Sequence, residues 1–577
     1  MKFNISFFIL LFIAFTACIN DIIIYFTGIG YGISIFISLA LATIISIFLI
    51  KNKKIKVSID INKYDIYLFL AMIFVTLITG IVFPDYVYDV LAYHTYLQEN
   101  PFTDKVNFDF FPGRIYCIFL FALGDRMFYI FRYFLGYRAG AILSFCLPIV
   151  LYYQTKQILK HFGSTDKKAS ILSYFIFLVL EFSCNIGNYY IDNLPVLFLL
   201  QAIIIILTNE DLINKKTSLY TFIFILGVSV GIKITSVFFA IPIMIYMLYK
   251  NKQYLKDIKV YDLLIGLVLF VIPYFVYVLN NIKQTGSPLF PYYNEFFKSD
   301  LFELSNWKDE RFGINGIFNK LFWPIIVNTL YKYGDELHMH DYAWVIGYIF
   351  IILFVIKTAL NKSKKDERFE LAILSLICTA EWVIFLEGYM RYGIIIPIIW
   401  TLIILSYISE KIRIPTSIQI IEKYINLTVF LIIVISGLRC SYLFLDTDNL
   451  KYVFKDIERK QTPIHIDGVW GTTYDCSSYP SLIREDNTPI YCLDKSYFEN
   501  NPKTLNMWYE KMTNNDIYVV VDVYEDSTFE DNYKIRYLEN HGFKIEDIIA
   551  AYTPDEIPYA NAHSIWFITK VKYIGEK

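Results

Sequence analysis

The sequence predicts an α-helical polytopic membrane protein of about 13 transmembrane helices, with a small α/β domain at its C-terminal end. Three observations carry that expectation. Of the 577 residues, 56% are hydrophobic and 18% aromatic, and mean hydropathy is +0.45, a composition that soluble domains do not reach. Apolar runs of roughly 17–22 residues, the length that crosses a hydrocarbon core, recur along most of the chain. After Leu445 the composition turns polar and no further run occurs. The formal net charge is −2, so no basic field argues for nucleic acid.

The apolar segments fall near 4–27, 29–50, 65–83, 137–156, 170–187, 193–208, 218–231, 234–249, 261–279, 342–360, 370–388, 391–409 and 424–444. Residues 112–135 are apolar enough to dip into the interface or to add a span. The first run has only Lys2 before it and no small-residue cleavage site before Asp21, which reads as a retained span rather than a signal peptide. Lysine and arginine concentrate in alternate loops: Lys51 to Lys63, Lys160 to Lys168, Lys215–Lys216, Lys250 to Lys259, Lys362 to Arg368, and Lys411 with Arg413. The positive-inside rule makes these loops cytoplasmic. The segments 84–136, 188–192, 280–341, 388–391 and 445–577 then face outward.

The segment Pro84-Asp85-Tyr86-Val87-Tyr88-Asp89-Val90-Leu91-Ala92-Tyr93-His94 opens the first large outer loop straight after a span. Carboxylates at a bilayer edge are costly unless water or a cation meets them. A carboxylate base at that height suits an enzyme acting on a lipid-linked substrate at the outer face. In the C-terminal part, short β-rich runs occur at Pro463–Ile466, Pro489–Leu493, Ile517–Val523 and Ser564–Val571. A helical stretch Asn532–Asn540 is stopped by Gly542. The alternation predicts an α/β domain of about 130 residues on the last span. Asp516 to Asp522 reads as a buried strand ending in an acid, a strand terminus rather than a catalytic group. Most of the eight cysteines sit in apolar spans as small hydrophobes. Cys476 and Cys492 both fall outside the spans, where a disulfide is one reading, although spacing does not establish it.

Tyr88-Asp89-Val90-Leu91-Ala92-Tyr93-His94 resembles the first-loop motif of bacterial members of the GT-C glycosyltransferase superfamily. These are multi-pass enzymes related to protein O-mannosyltransferases and lipid A aminoarabinose transferases. Five more pieces follow in order: Phe111-Pro112-Gly113-Arg114 with Gly124-Asp125; Tyr189-Tyr190-Ile191-Asp192-Asn193-Leu194-Pro195; Gly231-Ile232-Lys233-Ile234-Thr235; Thr285-Gly286-Ser287-Pro288, where Ser287 replaces the usual Asn; and Arg391-Tyr392 before Pro397. The resemblance covers roughly 65–410. It implies a GT-C-like membrane domain over 1–444, with outer loops 84–136 and 280–341, and an extracytoplasmic domain over 445–577.

The resemblance further implies a glycosyltransferase of the bacterial inner membrane with an extracytoplasmic active site. Such an enzyme takes a sugar from a polyprenyl-phosphate donor and passes it, with inversion, to a glycan, lipid or protein acceptor among membrane lipids. Asp89 matches the motif acid and is the expected general base, against the alternative of a helix N-cap. Asp85 competes for the same role or is a solvated loop acid. Tyr93 and His94 hold the base, contact the sugar, or pack at the interface. Asp192 binds acceptor, holds a divalent ion with Asp89, or caps the next span. Lys233 and Arg391 meet the lipid phosphate, or serve as headgroup anchors. His338, His340 and Asp341 offer metal ligands if the segment is extended, and otherwise form a solvated or acceptor-facing loop. A divalent ion is the only cofactor this reading entertains. An O-antigen or capsule-type polymerase is the alternative enzyme. A lipid or glycan transporter is the alternative without chemistry, and it would call for internal repeats, which the sequence does not show.

Overall fold

A computed structural model gives the architecture. It describes residues 2–52, 54–58, 61–75, 89–102, 115–209, 211–306, 314, 316–329, 340–360, 366–411, 468–472, 490–524, 528–529, 531–552 and 564–575. The chain divides into two compact units. One comprises 1–85, 121–275 and 309–442; the other comprises 86–120, 276–308 and 443–577.

The first unit is helical. Apolar helices Ile5–Thr27, Tyr31–Lys51 and Tyr342–Leu360 follow the sequence expectation closely, as does Asn193–Thr208. The run near 137–156 forms Ile142–His161. Four described helices are long and apolar enough to cross a bilayer, or five if Val260–Val271 and Phe275–Thr285 make one broken span. Thirteen uninterrupted spans are therefore not what the described residues form. Several expected spans are broken into pieces, each at an identifiable residue. Pro273 separates Val260–Val271 from Phe275–Thr285. The run near 170–187 becomes Asp166–Ser173, a 3₁₀ turn Tyr174–Leu178 and the short helix Leu180–Cys184. Its break is held from outside, because the Glu181 amide donates to Asp341 Oδ2 at 3.0 Å. The expected span 424–444 lies outside the described residues.

Buried polar groups pin the helices together. Arg126, 1% exposed, donates through Nε to Asp21 Oδ1 at 2.7 Å and through Nη2 to Asn20 Oδ1 at 3.0 Å. Its guanidinium lies 4.6 Å from the Tyr31 ring centroid. A charge among apolar helices needs such a partner, and Asp21 in the first span was the signal that one existed. Gly227 lets Lys216–Ile232 cross Val260–Val271 closely, since a Cβ there would lie 2.2 Å from the Phe270 carbonyl oxygen. Near the N-terminus a short parallel pair forms, β1 (Lys2–Asn4) with β2 (Lys56–Ser58).

The second unit contains a five-stranded sheet. Its strands are β3 (Val469–Thr472), β4 (Ile490–Cys492), β5 (Ile517–Tyr524), β6 (Phe543–Tyr552) and β7 (Ser564–Tyr573), in the order β4-β3-β5-β7-β6. β4, β3 and β5 run parallel, while β7 and β6 add antiparallel. Helix Pro502–Asn514 joins β4 to β5, and Tyr533–Asn540 joins β5 to β6. Trp508, Leu538, Val519 and Val521 lie in the apolar core, and Trp508 Nε1 donates to the Cys492 carbonyl at 2.7 Å. β3, β6 and Pro502–Asn514 go beyond the elements the sequence suggested. β6 is mostly exposed along its length, so it lacks the alternation that marks a half-buried strand. Cys492 is a free, buried thiol bonded to Asp494, which corrects the disulfide reading. Cys476 lies outside the described residues. Asp522 pairs with Lys534, whose backbone amide is capped by Asn532, so this acid lies inside β5 rather than at its terminus and holds a structural ion pair.

Candidate active site

In the first unit, three of the residues singled out from the sequence come together. Asp192 stands at the N-terminal end of Asn193–Thr208, but its side chain makes no capping bond there. Its carboxylate is 2% exposed and pairs with the Lys233 ammonium. Arg391 Nε lies 3.8 Å from the same Oδ1. In place of the cap reading, Asp192 joins Lys233 and Arg391 in an ion cluster.

Local structure explains each position. Asn188 Oδ1 accepts from the Tyr190 amide at 3.0 Å, shaping the turn before Asp192. Lys233 is extended (φ −149, ψ 116) between Lys216–Ile232 and the 3₁₀ turn Ile234–Ser236, so the interruption seen in the sequence is where the lysine turns out of the helix. Arg391 sits in the turn Met390–Tyr392, after two residues at positive φ, Glu387 (φ 52) and Gly388 (φ 66). Two buried tryptophans clamp that turn: Trp323 Nε1 donates to the Gly388 carbonyl at 2.8 Å, and Trp382 Nε1 to the Tyr389 carbonyl at 2.7 Å.

Aromatic faces surround the cations. Lys233 Nζ lies 4.2 Å from the Tyr392 ring centroid, and the Arg391 guanidinium lies 4.8 Å from Tyr190 and 5.5 Å from Tyr389. These rings favour positive charge through their quadrupoles. Tyr190 and Tyr392 stand in the motifs as neighbours with nothing local to mark this role, and Tyr389 lies just before the Arg391-Tyr392 pair. Lys233, with 18% of its side chain exposed against 8% for Arg391, is the more accessible of the two.

In the second unit, Asp89 is 7% exposed and opens a π-helical turn, Val90–His94, without a side-chain capping bond. The N-cap alternative for Asp89 is thereby set aside. An i→i+5 turn brings together residues five apart, and such turns recur at functional sites. Tyr93 and His94 are buried, with ring centroids 4.2 Å apart. Asp85 lies outside the described residues, as does Phe111 to Arg114.

The Thr285-Gly286-Ser287-Pro288 element is a turn closed by its own hydroxyls. Ser287 N donates to Thr285 Oγ1 at 3.2 Å, and Leu289 N to Ser287 Oγ at 3.3 Å. Asn281 ties this region to the Phe119 carbonyl at 2.9 Å. The loop that follows is fastened to the sheet-bearing part of the unit. The Asn501 amide approaches the Ser299 and Phe302 carbonyls at 3.4 and 3.3 Å, Thr504 Oγ1 donates to the Asp300 carbonyl, and Lys503 pairs with Asp300.

The metal reading finds no support at Asp341. Its oxygens accept from the Glu181 and Ala343 amides, at 3.0 Å each, so it caps Tyr342–Leu360 and holds a neighbouring break. His340 is exposed, with Nδ1 2.5 Å from the Asn328 carbonyl. His338 lies outside the described residues. Among the described residues, no three His, Cys, Asp or Glu side chains cluster as metal ligands.

No protein-family model matches the chain. No curated protein matches it in sequence. Solved structures do resemble it. ArnT from Cupriavidus metallidurans bound to undecaprenyl phosphate aligns over 88% of this chain and 98% of its own, with a TM-score of 0.50 and 11% identity. The same protein in the apo state gives 88%, 97%, 0.50 and 9%. The Archaeoglobus fulgidus oligosaccharyltransferase in the apo form covers 86% of this chain and 74% of its own, with a TM-score of 0.41 and 12% identity. The likeness to ArnT is one of fold: this chain shares the architecture of that structure, and its apolar helices support an integral membrane protein.

Proposed function

We propose that this chain is a GT-C-type glycosyltransferase that moves a sugar from a polyprenyl-phosphate donor to an envelope glycan, lipid or protein at the outer face of a bacterial inner membrane. The observation that carries the proposal is the Asp192–Lys233–Arg391 cluster, set in the fold of a protein crystallised with undecaprenyl phosphate. Two cations on a buried, aromatic-walled site suit a lipid-borne phosphate.

In the proposed reaction the acceptor hydroxyl attacks the anomeric carbon from the face opposite the phosphate. The new C–O bond forms as the bond from the anomeric carbon to the phosphate oxygen breaks. Its electron pair leaves with the lipid phosphate, and configuration inverts. Asp89 takes the hydroxyl proton, a role worth about 10²–10⁴-fold. Lys233 and Arg391 neutralise charge on the departing phosphate, a role that pre-organised groups perform without reorganising. Asp192 is a positioning residue that fixes both cations before the donor arrives. His94 and Tyr93 orient the base or contact the sugar. Asp85 is the competing base.

The test is mass spectrometry of envelope glycans and lipid-linked sugars from a deletion strain complemented with wild type, Asp89→Asn or Asp85→Asn. The expected result is a glycan lacking one sugar, with its polyprenyl-phosphate donor accumulating, restored by wild type and not by Asp89→Asn. Rescue by Asp89→Asn but not Asp85→Asn would move the base to Asp85. Unchanged sugar composition with shorter polymer would replace the transferase by a polymerase.

A further inference from the structure

The helix Ile317–Thr329 is apolar on two sides, and only one of them meets protein. Trp323 and Val327 are buried, whereas Ile317, Phe318 and Leu321 are 79, 66 and 57% exposed, with Phe322 exposed beside them. Positions i, i+1, i+4 and i+5 share one side of a helix. These four residues therefore make one apolar face, on which the Phe318 and Phe322 ring centroids lie 4.7 Å apart. In water such a face forgoes the gain of burial, and a helix apolar on both sides belongs in a core or a bilayer.

Hydrogen bonds at two heights fix where the face lies. The neighbouring element is Tyr342–Leu360, whose exposed residues Tyr342, Ile346, Ile349, Leu353, Ile356 and Leu360 repeat at three- and four-residue spacing. That stripe is the side a spanning helix turns to lipid. Tyr348 Oη donates to the Leu321 carbonyl. Tyr348 stands roughly 9 Å along the axis from Tyr342, and its side chain leans back toward the helix start, so Leu321 is level with the first two turns of the span. At the other end, Asn328 Oδ1 accepts from the Asp341 amide at 3.0 Å, just before the span begins. The helix thus slants alongside the span, with its first turns deeper than its last. The lysine-rich loop Lys362 to Arg368 follows the far end of the span, which puts this end in the outer leaflet. Lys320 is exposed on the same helix, and its four-carbon stem lets the ammonium reach the headgroups.

We propose that Ile317–Thr329 is inserted in the outer leaflet, with Ile317, Phe318, Leu321 and Phe322 against lipid acyl chains, and that it braces the turn carrying Arg391 from there. All four residues are apolar, and the helix is bonded to a span at the depth of the bilayer edge, so the partner is lipid rather than protein. The opposite side of the helix supplies the brace, because Trp323 Nε1 donates to the Gly388 carbonyl at 2.8 Å. The inference depends on neither the sugar nor the acceptor of the proposed reaction.

The test uses the full chain in phosphatidylcholine nanodiscs, in a background without other accessible cysteines. Nitroxide labels are placed singly by Ile317→Cys, Phe318→Cys and Leu321→Cys, three exposed positions. Leu353→Cys supplies the lipid reference and Asp531→Cys the water reference. Power-saturation spectra are expected to show all three labels reached by oxygen and shielded from a water-soluble nickel chelate, as at Leu353→Cys. Labels that respond to nickel as at Asp531→Cys would overturn the insertion. Labels shielded from both agents would also overturn it, by showing that protein, a second copy included, covers the face. The brace is read by hydrogen exchange in 386–393, where the Gly388 amide donates to the Trp382 carbonyl at 3.1 Å and the Tyr389 amide to the Leu386 carbonyl at 3.2 Å. Trp323→Phe, and separately Phe318→Ser with Leu321→Ser, are each expected to speed exchange there about tenfold, the effect of losing about one hydrogen bond. Unchanged exchange in the serine pair would uncouple the turn from the lipid contact and overturn the brace.

Discussion

Asp192 begins a helix yet contributes nothing to its cap; its carboxylate instead holds Lys233 and stands near Arg391. Losing that charge should loosen the hold on both cations, so Asp192→Asn is expected to raise the donor KM more than it lowers kcat. Arg391 is stacked between the Tyr190 and Tyr389 faces, which a lysine cannot reproduce. Arg391→Lys and Lys233→Met are each expected to lower transfer by about 10²–10³-fold, read on membranes with a purified lipid-linked donor, with insertion unchanged. Equal activity in either variant would remove that cation from the phosphate role. Cys492 is fully buried, and burial pushes its thiol up from the usual range, so it should resist alkylation at neutral pH until the C-terminal domain unfolds.

Short turns, more than long helices, place the reactive groups. Gly388 has φ +66, and a Cβ there would fall 1.9 Å from Trp323 Nε1. Gly388→Ala is therefore expected to destabilise the Arg391 turn by more than about 1 kcal/mol, seen as a lower unfolding temperature together with lost activity. Asn501 caps Pro502–Asn514 through the Thr504 amide at 3.3 Å while bonding the 299–303 loop. Asn501→Ala should cost about 1 kcal/mol from the cap alone, and limited proteolysis should then open the chain near residue 300. If that loop stays protected, the domain does not restrain it.

Charge distribution governs behaviour of the molecule as a whole. On the lysine-rich face Glu367 accepts from His161 at 2.6 Å and from Lys250 at 2.9 Å. The His161 bond, with Lys250 beside it and burial opposing, lowers the Glu367 carboxyl from 4.5 to about 2. A depressed carboxyl favours the folded state above its unfolded value and loses that contribution as protons bind. Thermal stability should accordingly fall between pH 4.5 and about 2, and Glu367→Gln should flatten that part of the profile. Orientation is testable with an impermeant thiol reagent. Asp531→Cys is expected to label in intact cells, and Lys167→Cys only after permeabilisation; the reverse would invert the topology and put Asp89 on the wrong side for an extracytoplasmic reaction.

The membrane class, the breaks around Lys233 and the α/β character of the C-terminal part were legible in the chain, because hydropathy, charge asymmetry and period-two patterning are local properties. Lys233 and Asp192 stood out for the same reason, as ionisable groups beside apolar runs that must find partners. Their pairing with each other, the Tyr190 face against Arg391 and the bond from the Glu181 amide to Asp341 were not legible. Those depend on residues 40 to 200 positions apart being brought together, and no local pattern encodes which partner a buried charge will meet. The splitting of long apolar runs into short helices was equally hidden, since a run of uniform hydrophobicity reads the same whether it is straight or broken. What breaks it is a hydrogen bond from a distant element, as Asp341 supplies to Glu181, or a backbone constraint whose effect depends on packing.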